Sequence, residues 1–299
     1  MSGPRILVKR RGALGDVIIS TPIVARLRRE YPDAFIDIQT SNEAVYQGQN
    51  WKNPHINGVS QIALNQYDKI IDLDMAHETR RRMHQIDAYM EAAFGDRGEC
   101  DGKTYSKQAH FPIGEPPRSL GNLDWSKVVT IHPNTSWQNR TVPIDLWQKV
   151  ADHLIESGYT VIVLGTRIDK PITQVGNRII DTRDRLNLYE QAAVIAASRT
   201  FVCGGSGLFM LAGTTETPIV VFLTISRAEH CLPFRHEEMG WNCYPIVTSV
   251  PCYGCNENQA AVTFVGCDRG DYGCISSFSA DMVMSKIEES LINDKRNHA

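Results

Sequence analysis

The chain has 299 residues, of which 42% are hydrophobic and 22% charged, and its formal net charge is -3. The composition is typical of a globular protein, and the length suits two domains of ordinary size. The net charge lacks the global basic signature of a nucleic-acid-binding protein. The sequence contains no run of 18 apolar residues, so we predict no membrane span. The first residues lack the long apolar core of a signal peptide. We therefore expect a cytoplasmic protein whose thiols are reduced.

The chain alternates predicted strands and helices in two blocks, which indicates two parallel sheets covered by helices. In the first block the strands are 5–10, 35–40 and 69–74, and the helices are one that ends near residue 31 and one at 80–95. In the second block the strands are 128–133, 159–164, 201–203 and 218–223, and the helices are 144–157, 187–198, 208–215 and 279–294. The stretch 114–122 between them is rich in Pro and Gly, so we expect it to link two domains.

The loop after the first strand carries the acid Asp16 behind Gly12 and Gly15. Open parallel sheets bind ligands at the carboxyl ends of their strands, which is where this carboxylate stands. Asp16 can cap the next helix, or it can take a proton from a substrate hydroxyl as a general base. Pro22 fits either the first turn of a helix capped by Thr21 or a kink in a helix that begins at Asp16.

Basic residues cluster three times in the first third of the chain, at 9–11, 26–29 and 80–82. Such clusters can be solvated ends of helices and strands. They can also face an anionic acceptor that binds to the first domain.

Four of the eight cysteines follow the pattern Cys252-x2-Cys255-x11-Cys267-x6-Cys274. A Cys-x2-Cys pair presents two thiolates on one tight turn, which suits a tetrahedral metal ion. We expect a structural metal, with zinc preferred to iron, because four thiolates fill the coordination shell; disulfides and plain buried thiols are the alternatives. The remaining cysteines have no such spacing and are expected to be packed residues: Cys100, Cys203, Cys231 and Cys243.

Four blocks of sequence, taken in order, carry a resemblance to a known family. The blocks are Gly12-Ala-Leu-Gly-Asp16 with Thr21-Pro22 and Tyr31-Pro-Asp33; His132-Pro-Asn-Thr-Ser136 with Arg140-Thr-Val-Pro143 and Trp147; Val163-Leu-Gly165 with Asp169; and Gly205-Ser-Gly207 with Leu211-Ala212 and Pro218. They resemble the ADP-heptose:lipopolysaccharide heptosyltransferases of glycosyltransferase family 9, which have the two-domain GT-B architecture. The likeness extends over nearly the full length of the chain.

The resemblance implies an inverting glycosyltransferase that moves heptose or a related sugar from a nucleotide-diphosphate donor, expected to be ADP-linked, to an acceptor hydroxyl without a catalytic metal. It implies that Asp16 is the general base and that Gly12 and Gly15 form an acceptor-side loop. The residues that it implies for donor binding are Asn134, Thr135, Ser136, Arg140, Asp169, Gly205, Ser206 and Gly207. Arg140 stands where the family has lysine, and arginine can bind phosphate with two parallel hydrogen bonds. We expect His132 to be a satisfied polar residue, and Trp137 and Trp147 to pack.

The fourth block departs from the family pattern, which is Asp-Ser-Gly followed two residues later by His. Gly205 and Met210 replace the acid and the imidazole, so contacts to the donor sugar must differ. Lipopolysaccharide core is the family's usual acceptor, and a protein or a modified nucleobase could replace it. An inactive sugar-nucleotide-binding or interaction protein is the alternative from another class. Heptosyltransferases that modify autotransporters have a similar cysteine finger, which holds iron.

The predicted fold is therefore α/β, of the GT-B type, with two Rossmann-like doubly wound domains facing a cleft and a small four-cysteine metal finger near the C-terminus. The expected domains are an acceptor-side domain at 1–120 and a nucleotide-sugar-binding domain at 121–278 with the finger at 252–274. A C-terminal helix and tail are expected at 279–299.

Overall fold

The computed structural model describes residues 3–47, 54–57 (backbone only), 63–166, 169, 171–173, 178–258 and 266–298. The chain divides into two compact units. Unit 1 comprises Met1–Pro112 and Glu229–Met239, and unit 2 comprises Ile113–Ala228 and Gly240–Ala299. A short segment from late in the chain thus belongs to unit 1, which the pattern of helices and strands does not predict.

The helices and strands alternate along the chain. The described helices are α1 (Leu14–Ile18), α2 (Thr21–Glu30), α3 (Gln85–Phe94), α4 (Ile144–Glu156), α5 (Leu188–Ala197), α6 (Gly207–Ala212), α7 (Ala228–Cys231), α8 (Gly273–Ser276) and α9 (Ala280–Ile292). The described strands are β1 (Arg5–Arg10), β2 (Phe35–Thr40), β3 (Pro54–Asn57), β4 (Lys69–Asp72), β5 (Glu99–Cys100), β6 (Lys103–Thr104), β7 (Val128–His132), β8 (Thr160–Val163), β9 (Ile179–Asp181), β10 (Thr200–Gly204), β11 (Ile219–Leu223), β12 (Phe234–Arg235), β13 (Glu238–Met239) and β14 (Cys243–Val247). None of these helices has both the length and the apolar character to cross a membrane.

Unit 1 is built on a parallel sheet with the strand order β3-β2-β1-β4. The apolar centre of β1 is fully buried because the strand lies inside the sheet and is covered on both faces. Lys9 of β1 is in register with Asp72 of β4, so the two strands end side by side. Residues that follow β1 and β4 therefore meet at one edge of the sheet.

Unit 2 is built on a six-stranded parallel sheet with the order β14-β11-β10-β7-β8-β9. Its central strands are buried along their whole length. Trp147 of α4 is buried and packs edge-on against Phe222 of β11, with 5.2 Å between ring centroids, which confirms that this tryptophan is a packing residue. β7 lies between β10 and β8, so the loops that follow these three strands share one edge.

Most predicted elements are present with small shifts of their ends, and the α/β class with parallel sheets is confirmed. The helix after β1 is two helices, and Pro22 lies in the first turn of α2. The helix predicted from residue 80 is wrong at its start: α3 begins at Gln85, where the His84 side chain accepts a hydrogen bond from the Ile86 N–H (3.2 Å). β14 was not predicted because it contains Pro245, which this edge strand tolerates since one side of it needs no partner.

Candidate functional site

Asp16 is the third residue of α1, directly after the loop that follows β1. Its Oδ2 accepts a hydrogen bond from the Ala13 N–H (3.0 Å), the residue that precedes the helix. The carboxylate therefore does cap the helix start, but from inside the helix and through one oxygen. Gly15 lies in the same helix, where its carbonyl accepts from the Ile19 N–H (3.1 Å).

Three side chains surround this carboxylate, and together with Asp16 we call them the Asp16 cluster: Arg10, His77 and Glu78. The His77 Nε2 lies 3.0 Å from Asp16 Oδ1. Arg10 Nη2 lies 3.1 Å from Asp16 Oδ2 and donates to Glu78 Oε1 (2.6 Å). Arg10 ends β1, and His77 and Glu78 lie just after β4, so the cluster forms because the two strands are neighbours.

The electrostatic balance keeps Asp16 ionised. Burial acts to raise the pKa of Asp16, but the hydrogen bond from His77, the charge of Arg10 and the hydrogen bond from the Ala13 N–H outweigh it, so the pKa lies below its usual value. Arg10 is only 3% exposed, and the charges around it, Asp16 and Glu78 among them, raise its pKa although burial acts to lower it. At neutral pH the cluster therefore contains a carboxylate at Asp16 and a buried guanidinium cation.

The cluster is also the one group of three potential metal ligands found within the described ranges, since Asp16, His77 and Glu78 present atoms within 4.8 Å of one another. Arg10 Nη2 contacts the same three residues, at 3.1 Å, 3.3 Å and 2.6 Å respectively. The guanidinium already supplies positive charge at this point and would repel a metal cation.

Gly12 leaves room for the Asp16 cluster, and Tyr89 packs against it. A Cβ at position 12 would lie 2.6 Å from Asp16 Oδ2 and 2.9 Å from Arg10 Cζ, so glycine is needed there for close approach. The Tyr89 ring lies 5.5 Å from the His77 ring and 5.4 Å from Arg10 Cζ, and its hydroxyl donates to the Asp16 carbonyl (3.4 Å).

Much of the basic charge in the first third of the chain is neutralised inside unit 1. Lys9 pairs with Asp72, and Arg11 pairs with Asp74 (2.6 Å). Arg26 pairs with Glu30 (2.7 Å) and Asp96 (2.5 Å), so these positions stabilise the unit itself.

In unit 2 the loops after β7 and β10 are joined by polar contacts. His132, the last residue of β7, has its Nδ1 3.1 Å from the Ser206 Oγ, and burial lowers the pKa of His132 to about 4, so its imidazole is neutral at neutral pH. Arg140 donates to the Gly205 carbonyl (3.0 Å), and its guanidinium lies 4.0 Å from the centre of the Trp137 ring. His132 is thus a satisfied polar residue, as expected.

These joined loops, 134–140 and 204–207, form what we call the donor loops. The Asn134 Nδ2 is buried and has no hydrogen-bond partner among the described residues. A Cβ at Gly205 would meet nothing within 4 Å, whereas one at Gly204 would lie 2.9 Å from Thr135 Cγ2. The Thr135 hydroxyl donates to the Trp137 carbonyl (2.9 Å), which fixes the loop. Ser136 is exposed, and Gly207 begins α6 behind Ser206.

Asp169 lies after β8, next to the donor loops. Its Oδ2 accepts from the Thr166 N–H (2.7 Å) and lies over Gly165, where a Cβ would come within 2.3 Å. The Asp169 charge acts on His132, so the structure brings this acid to the same edge as Ser206. One carboxylate oxygen is therefore used to hold the acid's own loop.

The cysteines of the predicted finger lie near one another in unit 2. Burial and the neighbouring thiols Cys252, Cys274 and Cys267 raise the pKa of Cys255 to about 11. In the described part of the chain, however, no three of these sulfur atoms lie within 4.8 Å of one another. The donor loops contact this region, because the Asn139 Nδ2 donates to the carbonyl of Gly266, next to Cys267 (2.8 Å).

The other four cysteines only partly follow expectation. None of the eight cysteines, all within the described ranges, forms a disulfide; Cys203 and Cys231 are buried, and Cys243 is half-buried. The expectation that Cys100 is packed is wrong: it lies in the exposed hairpin of β5 and β6, where Gly102 permits a tight turn and leaves the side chain in solvent.

Solved structures share this fold across almost the whole chain. A family 9 glycosyltransferase from Veillonella parvula has a TM-score of 0.73 and 18% identity, with 98% of this chain and 99% of that chain covered. The ADP-heptose lps heptosyltransferase II of E. coli gives 0.72 and 14%, with 99% and 100% covered. The iron-containing dodecameric glycosyltransferase TibC from enterotoxigenic E. coli gives 0.75 and 15%, with 97% and 78% covered. A sequence comparison with curated proteins gives no match.

The two parallel sheets, each with polar residues at the carboxyl ends of its strands, define an α/β protein that matches GT-B heptosyltransferase structures. The model of glycosyltransferase family 9 (heptosyltransferase) matches residues 22–247, more than half of the chain. The chain belongs to this family, and it is a glycosyltransferase enzyme.

Sequence reasoning missed His77 and Glu78. They fall between a predicted strand and a predicted helix, in a stretch without periodicity. The signal that could have found them is topological, because polar residues that follow a strand next to β1 must lie beside those that follow β1.

Proposed function

We propose that the protein is an inverting glycosyltransferase that transfers heptose or a related sugar from an ADP-linked donor to an acceptor hydroxyl. Unit 1 supplies the base and unit 2 binds the donor. The observation that carries the proposal is Asp16: an ionised carboxylate, 25% exposed, fixed by three donors at the carboxyl edge of a parallel sheet.

In the proposed reaction, Asp16 assists the attack of the acceptor hydroxyl on the anomeric carbon of the donor sugar. The hydroxyl oxygen forms a bond to the anomeric carbon from the face opposite the diphosphate, and the bond from that carbon to the phosphate oxygen breaks. The ADP leaves with the electron pair, and the hydroxyl proton passes to the base that Asp16 provides. Because Gly12 has no side chain, it leaves the space in which the side chains of Arg10 and Asp16 contact each other.

The donor loops suit the leaving diphosphate. Arg140 brings a cation and Ser136 an exposed hydroxyl, while the buried Asn134 Nδ2 offers a donor that no described residue uses. Preorganised donors of this kind stabilise the charge that grows as the glycosidic bond breaks. At Gly205, Ser206 and Gly207 the diphosphate can come close to the backbone. The second carboxylate oxygen of Asp169 suits a ribose hydroxyl of the nucleotide. A structure of TibC holds ADP-D-beta-D-heptose and one of E. coli WaaC holds ADP, which supports an adenine nucleotide.

The proposed acceptor is a hydroxyl of lipopolysaccharide core, in the cytoplasm, and a protein or a modified nucleobase is the other acceptor class to test. The decisive experiment titrates the protein with ADP-D-beta-D-heptose, ADP-glucose and UDP-sugars, and follows ADP or UDP release by mass spectrometry with a lipopolysaccharide core acceptor. We expect binding and release with the ADP-sugars. A response confined to UDP-sugars would contradict the proposal.

We also propose that the four clustered cysteines hold a structural metal ion, zinc or iron. The donor set fits, since burial and the neighbouring thiols raise the pKa values of Cys255 and Cys274, and a bound dication would remove that cost of ionisation. The metal would cross-link the loops that Asn139 ties to the donor loops. TibC, which contains iron, shows a precedent within a similar fold.

Elemental analysis tests the metal site. We expect about one equivalent of metal in the wild type, its loss in Cys255→Ser, and its retention in Cys100→Ser, whose thiol is exposed and outside the cluster. Less than about half an equivalent in the wild type would count against the site. The same sample decides between zinc and iron.

A further inference from the structure

We propose that His77 is a catalytic residue, and that its imidazole, held by Asp16, takes the proton of the acceptor hydroxyl. This inference rests on the proposed function and refines the role of its base. Asp16 then orients and stabilises the imidazole instead of carrying the proton alone.

The hydrogen bonds of Asp16 are the first observation behind this proposal. Its Oδ2 is held by the Ala13 N–H (3.0 Å) and by Arg10 Nη2 (3.1 Å). Its Oδ1 is held by His77 Nε2 (3.0 Å). Both oxygens thus have donors before any substrate binds, and a substrate hydroxyl would have to share Oδ1 with the imidazole.

The free nitrogen of His77 is the second observation. Arg10 Nη2 also lies 3.3 Å from Nε2, but it donates to Glu78 and faces Asp16 Oδ2. Because a carboxylate only accepts, we assign the tautomer that has its proton on Nε2, towards Asp16, and its lone pair on Nδ1. Nδ1 has no hydrogen-bond partner among the described residues, and the His77 side chain is 15% exposed. The ring therefore presents an unused proton acceptor near solvent, while its other nitrogen is fixed.

Two carboxylates and one guanidinium face His77, and an aromatic ring packs beside it. Asp16 on α1 contacts Nε2 directly, and the Glu78 Oε1 lies 3.6 Å from it. Arg10 at the end of β1 opposes a second positive charge, but it is shared between the two carboxylates. The Tyr89 ring on α3 packs beside the imidazole and stays neutral, because burial raises the pKa of its hydroxyl.

Asp16 alone is poorly suited to hold the proton. Burial acts to raise the pKa of Asp16, but the hydrogen bond from His77, the charge of Arg10 and the Ala13 N–H hold it below its usual value. General bases work best when their pKa lies near the working pH, so a carboxylate whose ionised form is stabilised in this way is a weak base. A carboxylate that orients an imidazole is a recurring solution to this problem.

The step balances. The acceptor oxygen bonds to the anomeric carbon, its proton moves to Nδ1 of His77, and ADP leaves with the electrons of the broken carbon–oxygen bond. The imidazolium, with a proton on each nitrogen, lies against Asp16 and Glu78 until it gives its extra proton to water.

His77→Gln tests the proposal. The glutamine amide can still donate to Asp16 Oδ1, but it cannot carry a proton. With ADP-D-beta-D-heptose and a lipopolysaccharide core acceptor, we expect kcat for ADP release to fall about 100-fold with little change in the donor KM. Thr79→Ala, a change at an exposed neighbour, should match the wild type.

One result would overturn the inference while leaving the proposed function intact: a His77→Gln enzyme that binds the donor and keeps near-wild-type kcat, with Asp16→Asn inactive. If Asp16→Asn is as active as the wild type, the proposed function itself fails.

Discussion

The Asp16 cluster of unit 1 and the donor loops of unit 2 both lie at the carboxyl ends of parallel strands, yet their side chains differ in charge. The cluster packs a buried guanidinium against two carboxylates, and nearly every polar atom of Asp16 has a partner. The donor loops surround a neutral buried His132 with glycines and keep the Asn134 Nδ2 without a partner among the described residues. This difference suits the proposed division of roles, in which the cluster serves a proton transfer and the loops bind a charged donor.

Arg10→Met should give the largest loss of stability. Removing the cation leaves Asp16 and Glu78 without their buried partner, which typically costs about 3 to 5 kcal/mol. Urea unfolding measures the change. Arg11→Met is the matched control, since Arg11 is 44% exposed in its pair with Asp74 and such surface pairs contribute about 1 kcal/mol or less. Equal losses in the two variants would show that the cluster is not a buried charge network.

His132 should make unit 2 sensitive to acid. Its pKa is lowered to about 4 in the folded protein from 6.5, so the unfolded chain binds the proton first as pH falls. Stability present above pH 6.5 is lost as pH falls toward 4, by about 3 kcal/mol for this residue. Urea unfolding of wild type and His132→Gln across this range should give a flatter pH dependence in the variant. Parallel curves would mean that the imidazole is not held neutral.

Gly12→Ala should separate activity from stability. The added Cβ would meet the ends of Asp16 and Arg10, which must move apart, so we expect ADP release to slow about tenfold, since small misplacements of reacting groups are costly. The Tm should change little. Gly114→Ala is the control, because a Cβ there meets nothing within 4 Å. If Gly12→Ala keeps full activity, the spacing of the Asp16 cluster does not matter to the reaction.

Local patterns predict most of the fold because buried strands such as β1 and amphipathic helices such as α4 carry their periodicity in sequence. The patterns fail where a contact decides the structure. Pro245 conceals β14, and the side-chain cap at His84 sets the start of α3. The return of Glu229–Met239 to unit 1 depends on tertiary packing and has no local signal.

The candidate site divides in the same way. Asp16, Arg140 and Gly205 stand in motifs, so a resemblance finds them. His77 and Glu78 are more than 60 residues from Asp16 in sequence and reach it only because β4 pairs with β1. The closeness of the four cysteines followed from their spacing, whereas the distances between their sulfur atoms could not.

The most direct test of the account compares Asp16→Asn with Arg140→Ala in two assays, calorimetric binding of ADP-D-beta-D-heptose and release of ADP with a lipopolysaccharide core acceptor. Asp16→Asn should bind the donor as the wild type does and lose at least about 100-fold in release. Arg140→Ala should bind the donor about tenfold or more weakly. If Asp16→Asn releases ADP at the wild-type rate, or loses donor binding instead of turnover, the division of roles between the two regions is wrong.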